Sequence, residues 1–238
     1  MNSYKELIKP EPVPGHVGII MDGNGRWAKD KGLPRKEGHK MGAEVIEPLM
    51  DCAISLGIKK VSLYAFSVEN WSRPVTEIRG LWELLEAFFK KKIDIINDKN
   101  IKIEHSGSLK KLPPSTKKSI ADSVKKTSSN NGIILNFCIN YGGRQEIIDS
   151  VNSWLESRKG NEKITEKKLN SFLYSRNMPD LDLLIRTSGE YRISNFMLWQ
   201  IAYSELFFTD VLWPDFGAEE FYKAIFEFQN RERRYGGL

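Results

Sequence analysis

The sequence predicts an α/β fold: a single domain with a central, mostly parallel sheet flanked by helices and a hydrophobic tunnel beside it. Three observations predict it. Apolar runs of strand length recur along the chain, most without strict alternation, as expected for strands covered on both faces. Segments of helical periodicity separate them, and strands that alternate with helices form a parallel sheet with crossovers. Finally, the longest helical segment, 75–98, carries Ile78, Leu81, Trp82, Leu84, Leu85, Phe88, Phe89 and Ile93. They span a face wider than an ordinary amphipathic stripe, which serves either core packing or one wall of an apolar channel.

The elements follow in order. Residues 1–14 hold three prolines and mixed charges and read as an N-terminal arm or short helix, ahead of one domain over 15–238. "HVGIIM" is the first strand, and "RWAKDKG" behind it can start a helix. A helix over 38–56 contains Pro48, which predicts a kink or break. "KKVSLYAF", "IKIEHSG", "GIILNFCIN" and "LDLLIRT" are further strands, and 115–129, 144–157, 195–204 and 217–229 are further helices. "KKLPPSTKK" is a loop and helix start, and no repeat or interdomain linker interrupts the series.

The 238 residues suit one α/β domain, and 40% hydrophobic residues suffice for a core. A net charge of +5 suits an anionic small substrate, a membrane surface or nucleic acid without choosing among them. Cys52 and Cys138 lie in apolar runs and read as buried free thiols of a reducing compartment. The first residues lack a signal-peptide core, and no run reaches the roughly 18 apolar residues of a membrane span. These features predict a cytoplasmic protein.

In open parallel sheets, ligands sit beyond the carboxyl ends of the strands. The first strand ends in Asp22-Gly23-Asn24-Gly25-Arg26 and the second in Ser67-Val68-Glu69-Asn70-Trp71-Ser72-Arg73. The fourth ends in Asn140-Tyr141-Gly142-Gly143-Arg144, and the fifth in Arg186-Thr187-Ser188-Gly189-Glu190, with Arg192 and Ser194 just after. Four ends rich in glycine, arginine and small polar residues predict a polyanion site. Gly23 and Gly25 permit close backbone approach, a helix start offers N–H groups, and Arg26 can grip phosphate in bidentate fashion. The sequence matches neither a Walker motif nor a dinucleotide fingerprint. Asp22 would repel a bare phosphate, but a magnesium ion held by one or two carboxylates resolves the conflict. Alternatively, Asp22 caps the next helix or pairs with Arg26. Glu205, in "AYSELFF", is either a second acid near the metal or a solvated charge at a strand start. Arg35, Arg73, Arg186, Arg192 and His39 add enough cations for two diphosphates. Phosphates at one end and a greasy slot behind describe a prenyl diphosphate site.

Six segments together resemble the cis-prenyltransferases, specifically bacterial isoprenyl transferases of the undecaprenyl diphosphate synthase type. They are "HVGIIMDGNGRWAK", "GHKMGAE", "SLYAFSVENWSRP", "NYGGR", "DLLIRTSGEYRISNFMLWQIAYSELFFTDVLWPDF" and "NRERRYGG", in family order over Val17 to Gly237. The resemblance implies a homodimer and a magnesium-dependent condensation of isopentenyl diphosphate with an allylic diphosphate such as farnesyl diphosphate, repeated in cis inside an apolar tunnel. The implied product is a polyprenyl diphosphate, precursor of the undecaprenyl cell-wall carrier lipid, with a shorter product as the alternative. By the same resemblance, Asp22 is the magnesium carboxylate and Glu205 the second ligand, in its own or the partner subunit's site. Gly23, Asn24, Gly25 and Arg26, with Arg35 and His39, cradle the allylic diphosphate. Trp27 and Trp71 border the reacting chain, and Ser67, Val68, Glu69, Asn70 and Arg73 line the transfer centre. Asn70 is the implied proton acceptor, although an amide is a poor base, and released diphosphate or a water is the alternative. Arg186, Arg192, Ile193 and Ser194 match the isopentenyl diphosphate site. Arg234-Tyr235-Gly236 matches a terminal motif that reaches a partner subunit. Peripheral contact with the inner membrane face for product release is compatible with this reading, and nucleic acid is not an expected partner.

Departures from the family pattern fall at Pro48, Ser108, Ser188 and Tyr191, none of them assigned to the chemistry. A non-catalytic family subunit is disfavoured because Asp22, Asn70, Arg73 and Glu205 are all present. A nucleic-acid-binding domain is disfavoured because acids are interspersed with the bases, without an aromatic stacking platform. A nucleotide phosphotransferase is disfavoured by the missing phosphate-loop lysine.

Overall fold

The computed structural model describes residues 3–176 and 178–231. Six strands form one parallel sheet: β1 (His16–Ile20), β2 (Lys60–Ser67), β3 (Lys102–Ser106), β4 (Ile134–Tyr141), β5 (Leu183–Arg186) and β6 (Glu205–Phe208), in the order β3-β4-β2-β1-β5-β6. This is the expected α/β fold. β6 is a short strand absent from the apolar runs, although the sequence also allows Glu205 as a strand start.

Side-chain alternation sorts the sheet into two unlike faces. Val17, Ile19, Val61, Leu63, Leu135, Phe137, Leu183 and Ile185 join the large core beneath the helices. Ile20, Cys138, Leu181, Leu184, Phe196 and Met197 form a smaller cluster on the other face. The same face holds a buried polar chain. His16 Nδ1 donates to the Pro179 carbonyl at 2.9 Å, so its Nε2 accepts from Ser62 Oγ at 2.8 Å. Asn136 donates to Ser62 Oγ at 3.0 Å and accepts from Ser106 Oγ at 3.1 Å.

The helices are α1 (Tyr4–Leu7), α2 (Asn24–Asp30), α3 (Arg35–Glu44), α4 (Ile46–Ser55), α5 (Val75–Asp98), α6 (Pro114–Lys126), α7 (Gly143–Ser157), α8 (Glu166–Asn170) and α9 (Ala218–Gln229). The helix expected over 38–56 is therefore two. The break falls at Val45, and Pro48 sits in the first turn of α4, where its missing N–H costs nothing. Its ring would clash with the carbonyl four residues back, on Glu44, so α3 ends there. The arm is docked: Ser3 Oγ and the Tyr4 N–H donate to Glu219 of α9 at 2.8 and 2.6 Å.

The helix expected over 195–204 is not formed. That segment is a run of turns, with left-handed φ at Ser194 (45°), Asn195 (62°) and Met197 (45°). Local turn bonds such as Gln200 N–H to the Met197 carbonyl hold it, and two carbonyls go to distant partners: Asn195 to the Gly143 N–H at 2.7 Å and Gln200 to the Leu181 N–H at 3.0 Å. Among the described residues, no helix is long and apolar enough to cross a membrane.

Candidate active site

The chain leaves β1 for β2 on one side, while β5 and β6 build out on the other, so the connections diverge at the carboxyl ends of β1 and β5. Those two ends are joined there. Arg186, the last residue of β5, is 3% exposed, and its Nη2 donates to Asp22 Oδ2 at 2.9 Å. Its Nη1 donates to the Arg192 carbonyl and to Ser194 Oγ, both at 2.6 Å. Its Nε is buried without a partner. Burial by itself would raise the Asp22 carboxyl. The Arg186 hydrogen bond, the Gly23 N–H at 2.7 Å and the charges of Arg186 and Arg26 outweigh it and hold the group below its usual value. Asp22 is thus an anion, with its side chain 37% exposed.

Asn24 opens α2, and its Oδ1 is buried without a partner. Gly38 and Gly42 of α3 explain how that atom is enclosed. A Cβ at Gly38 would lie 2.0 Å from the Asn24 carbonyl oxygen, and one at Gly42 2.2 Å from Asn24 Oδ1. Nearby, His39 Nε2 is also buried and unpartnered. Burial, then the charges of Arg35 and Arg73, lower His39 to about 4, so the ring is neutral near pH 7. Arg35 and Arg73 share Glu77 of α5, at 3.3 and 3.0 Å.

Residues 68–72 beyond β2 form a 3-10 turn. It is capped by a reciprocal pair: the Asn70 N–H bonds the Ser67 side chain, and Asn70 Oδ1 accepts from the Ser67 N–H at 3.1 Å. Trp71 donates to Asn140 Oδ1 at 2.8 Å and packs beside Phe66 and Trp82.

A cavity of about 640 Å³ opens at this edge, within the about 300–1,000 Å³ typical of small-ligand sites. Its polar part is lined by Asp22, Gly23, Asn24, Gly25, Arg35, His39, Ser67, Glu69, Asn70, Arg73, Arg186, Arg192 and Ser194. Its apolar part is lined by Leu81, Trp82, Leu84, Leu85 and Phe88 of α5, with Phe137 and Ile139. The wide apolar face of α5 therefore serves both purposes, since Ile78 and Phe89 pack into the core instead. Leu135 lines a small separate void behind Phe88 and Ile46, which border both spaces.

The geometry leaves several sequence-predicted residues elsewhere. Arg26 stands at the rim, bonded to Ser188 Oγ and 3.7 Å from Glu190. Val68, Trp71 and Ile193 are not among the residues that line the cavity. Trp27 does not border the cavity: it is 8% exposed and its indole donates to Asp215 at 2.8 Å. Glu205 is not beside Asp22. It starts β6 in register with Leu183 and Val17, whereas Asp22 lies five residues beyond Val17, about 16 Å along the strand direction. There Glu205 accepts from Arg231 at 2.9 Å. Among the described residues no group of three or more His, Cys, Asp or Glu side chains could hold a metal. The Arg234-Tyr235-Gly236 motif lies outside the described residues. Conversely, the cavity gains Asn195, Tyr64 and Trp213, which sequence reasoning missed. For Asn195 a signal existed, since asparagine tolerates a left-handed backbone better than most residues do.

A family model described as "Putative undecaprenyl diphosphate synthase" matches residues 20–236. The chain belongs to the undecaprenyl diphosphate synthase family. It is 45% identical to an isoprenyl transferase of Clostridium perfringens, over all of this chain and 95% of that one. It is 47% identical to an isoprenyl transferase of Listeria monocytogenes, over 98% of this chain and 94% of that one. Among solved structures it resembles lavandulyl diphosphate synthase of Lavandula x intermedia in complex with dimethylallyl diphosphate. There the TM-score is 0.91 at 30% identity, covering 94% of this chain and 99% of that one. A Campylobacter jejuni "probable undecaprenyl diphosphate synthase" gives a TM-score of 0.81 at 30% identity, covering 95% and 100%. The protein is accordingly a prenyltransferase enzyme, an isoprenyl transferase of the cis-prenyltransferase type.

Proposed function

We propose that the protein condenses isopentenyl diphosphate with an allylic diphosphate, farnesyl diphosphate as the first primer, repeatedly and in cis. The product is a polyprenyl diphosphate of undecaprenyl length, precursor of the cell-wall carrier lipid. One observation carries this reading: a single cavity joins a mouth of arginines, His39 and Asp22 to a slot walled by α5. The allylic diphosphate sits at Gly23, Asn24, Gly25, Arg26, Arg35 and His39. The isopentenyl diphosphate sits at Arg186, Arg192 and Ser194. The growing chain enters the slot as a tunnel.

The residues fit a magnesium ion held by Asp22. That carboxylate is charged, faces the mouth and stands among cations that also recruit phosphate, and magnesium takes one or two carboxylates with phosphate oxygens completing its shell. When bound, magnesium neutralises charge on the departing diphosphate. The chain's own groups do the rest. Arg35, Arg73 and the neutral His39 ring bond the leaving diphosphate as the allylic C1–O bond breaks. Arg186, whose Nε has no partner, and Arg192 hold the second diphosphate so that the isopentenyl double bond meets the allylic C1. A new carbon–carbon bond forms, one proton leaves the isopentenyl unit, and diphosphate is released. Asn70 orients the β2 turn through its cap, and its carbonyl oxygen is already engaged, so the proton goes to the released diphosphate. The protein acts as a homodimer in the cytoplasm and meets the inner membrane face when product leaves.

A magnesium-dependent assay with farnesyl and labelled isopentenyl diphosphates, resolved by product length, tests the proposal. A long cis-polyprenyl ladder is expected. A short product instead would favour the second reading, a short-chain synthase. No incorporation by folded protein with any allylic primer would overturn both.

A further inference from the structure

Asn195 makes three hydrogen bonds that join separate parts of the site. Its Nδ2 donates to Glu69 Oε1 at 2.8 Å, its Oδ1 accepts from the Arg144 N–H at 2.9 Å, and its carbonyl accepts from the Gly143 N–H at 2.7 Å. Glu69 belongs to the turn after β2, Gly143 and Arg144 begin α7 after β4, and Asn195 follows Ser194 in the loop after β5. One side chain thus links the loops of three strand ends. The loop it anchors is also conformationally costly, because Ser194, Asn195 and Met197 all hold left-handed φ. Such a backbone persists only where its surroundings over-determine it. Arg186 restrains the loop from one side through the Arg192 carbonyl and Ser194 Oγ, and Asn195 restrains it from the other.

We propose that Asn195 is a positioning residue. It fixes the loop bearing Arg192 and Ser194 against the β2 turn bearing Glu69, and so sets the separation of the two diphosphate subsites. This rests on the assignment of Arg192 and Ser194 to the isopentenyl diphosphate subsite. Two substrates that must react carbon to carbon are sensitive to that separation, since a misplacement near 1 Å costs on the order of 10²-fold in rate. Each diphosphate still has its own arginines when Asn195 is lost. The consequence is a fall in kcat with little change in the affinity for either substrate alone.

The polarity of the Asn195–Glu69 bond provides the test. Asn195→Gly keeps the left-handed backbone and deletes the bracket. Asn195→Asp still accepts from the Arg144 N–H but repels Glu69. In Asn195→Asp with Glu69→Gln, the glutamine amide donates to the aspartate and restores the bond reversed. Measured on the full chain, both single Asn195 variants are expected to lose roughly 10- to 100-fold in kcat. Calorimetric Kd values for isopentenyl diphosphate and for farnesyl thiodiphosphate should stay within about threefold. The double variant should recover at least about tenfold over Asn195→Asp, a coupling that independent sites do not show. If the two substitutions combine additively, or if kcat is unchanged in Asn195→Gly, the bracket is wrong. Arg192→Ala is measured alongside. Unchanged isopentenyl diphosphate affinity in that variant would instead overturn the subsite assignment, separately from the bracket.

Discussion

The two ends of the sheet treat their polar groups differently. At the amino end they are paired with one another. Lys60, 1% exposed, meets Glu104 at 2.7 Å, Glu205 meets Arg231, and the Gly15 and His16 N–H groups both reach Asp182. At the carboxyl end three buried groups have no partner: Arg186 Nε, His39 Nε2 and Asn24 Oδ1. Among the described residues these make up three of five such atoms. Left-handed non-glycine residues also gather there, at Asn140, Ser188, Ser194 and Asn195. An unsatisfied buried polar group costs about 1–3 kcal/mol. The same strands therefore spend their polar side chains on the fold at one end and hold them ready for a ligand at the other.

Substitutions separate the two ends. Asp22→Ala should have the largest effect, a fall in turnover of roughly 10³-fold with the fold retained, read by the prenyl transfer assay and thermal melting together. Near-native turnover with saturating magnesium would remove Asp22 from the chemistry. Glu104→Gln should do the converse. It leaves the buried Lys60 ammonium without its countercharge and lowers unfolding free energy by about 3 kcal/mol, while kcat of the folded enzyme stays as before. A denaturant titration showing no loss would mean that the pair matters little to the amino end.

The pH dependence of stability is the next test. Burial, above all, lowers His16 to about 4 from 6.5. Its neutral form therefore stabilises the fold fully above pH 6.5, and the contribution is lost as pH falls toward 4. The loss from this residue is on the order of 3 kcal/mol. His39, lowered to about 4 as well, acts in the same window. Urea midpoints at pH 7 and pH 5 should therefore differ, and His16→Gln should flatten that difference without abolishing it. The smallest effect on the fold is expected at the slot. Leu84→Trp should shorten the product ladder while shifting Tm by less than about 4 °C. Unchanged products would return Leu84 to plain packing.

Much of this was legible in the sequence, for local reasons. Glycine, arginine and small polar residues clustered at four strand ends, and each end was recognisable within a few residues. What depended on register was not. Glu205 reads equally as a second acid near the metal or as a charge at a strand start, and pairing with Leu183 shows the strand start. Trp27 follows the Asp22-Gly23-Asn24-Gly25-Arg26 loop directly, yet α2 turns its indole toward Asp215. The turns over 195–204 look helical by periodicity, because nothing in that stretch announces that the Gly143 N–H will claim the Asn195 carbonyl and that the backbone turns left-handed at Asn195 and Met197. For α5 the pattern was right and its meaning divided, since one wide apolar face supplies both core and cavity wall.

That wall also has an optical consequence. Trp82 faces the slot, with its ring 5.7 Å from Trp71 and 4.4 Å from Phe66. Indoles this close share excitation, and their emission shifts to the blue when hydrocarbon replaces water beside them. If the proposed product grows in that slot, an indole lies on its wall, and the emission of Trp82 should shift as hydrocarbon fills it.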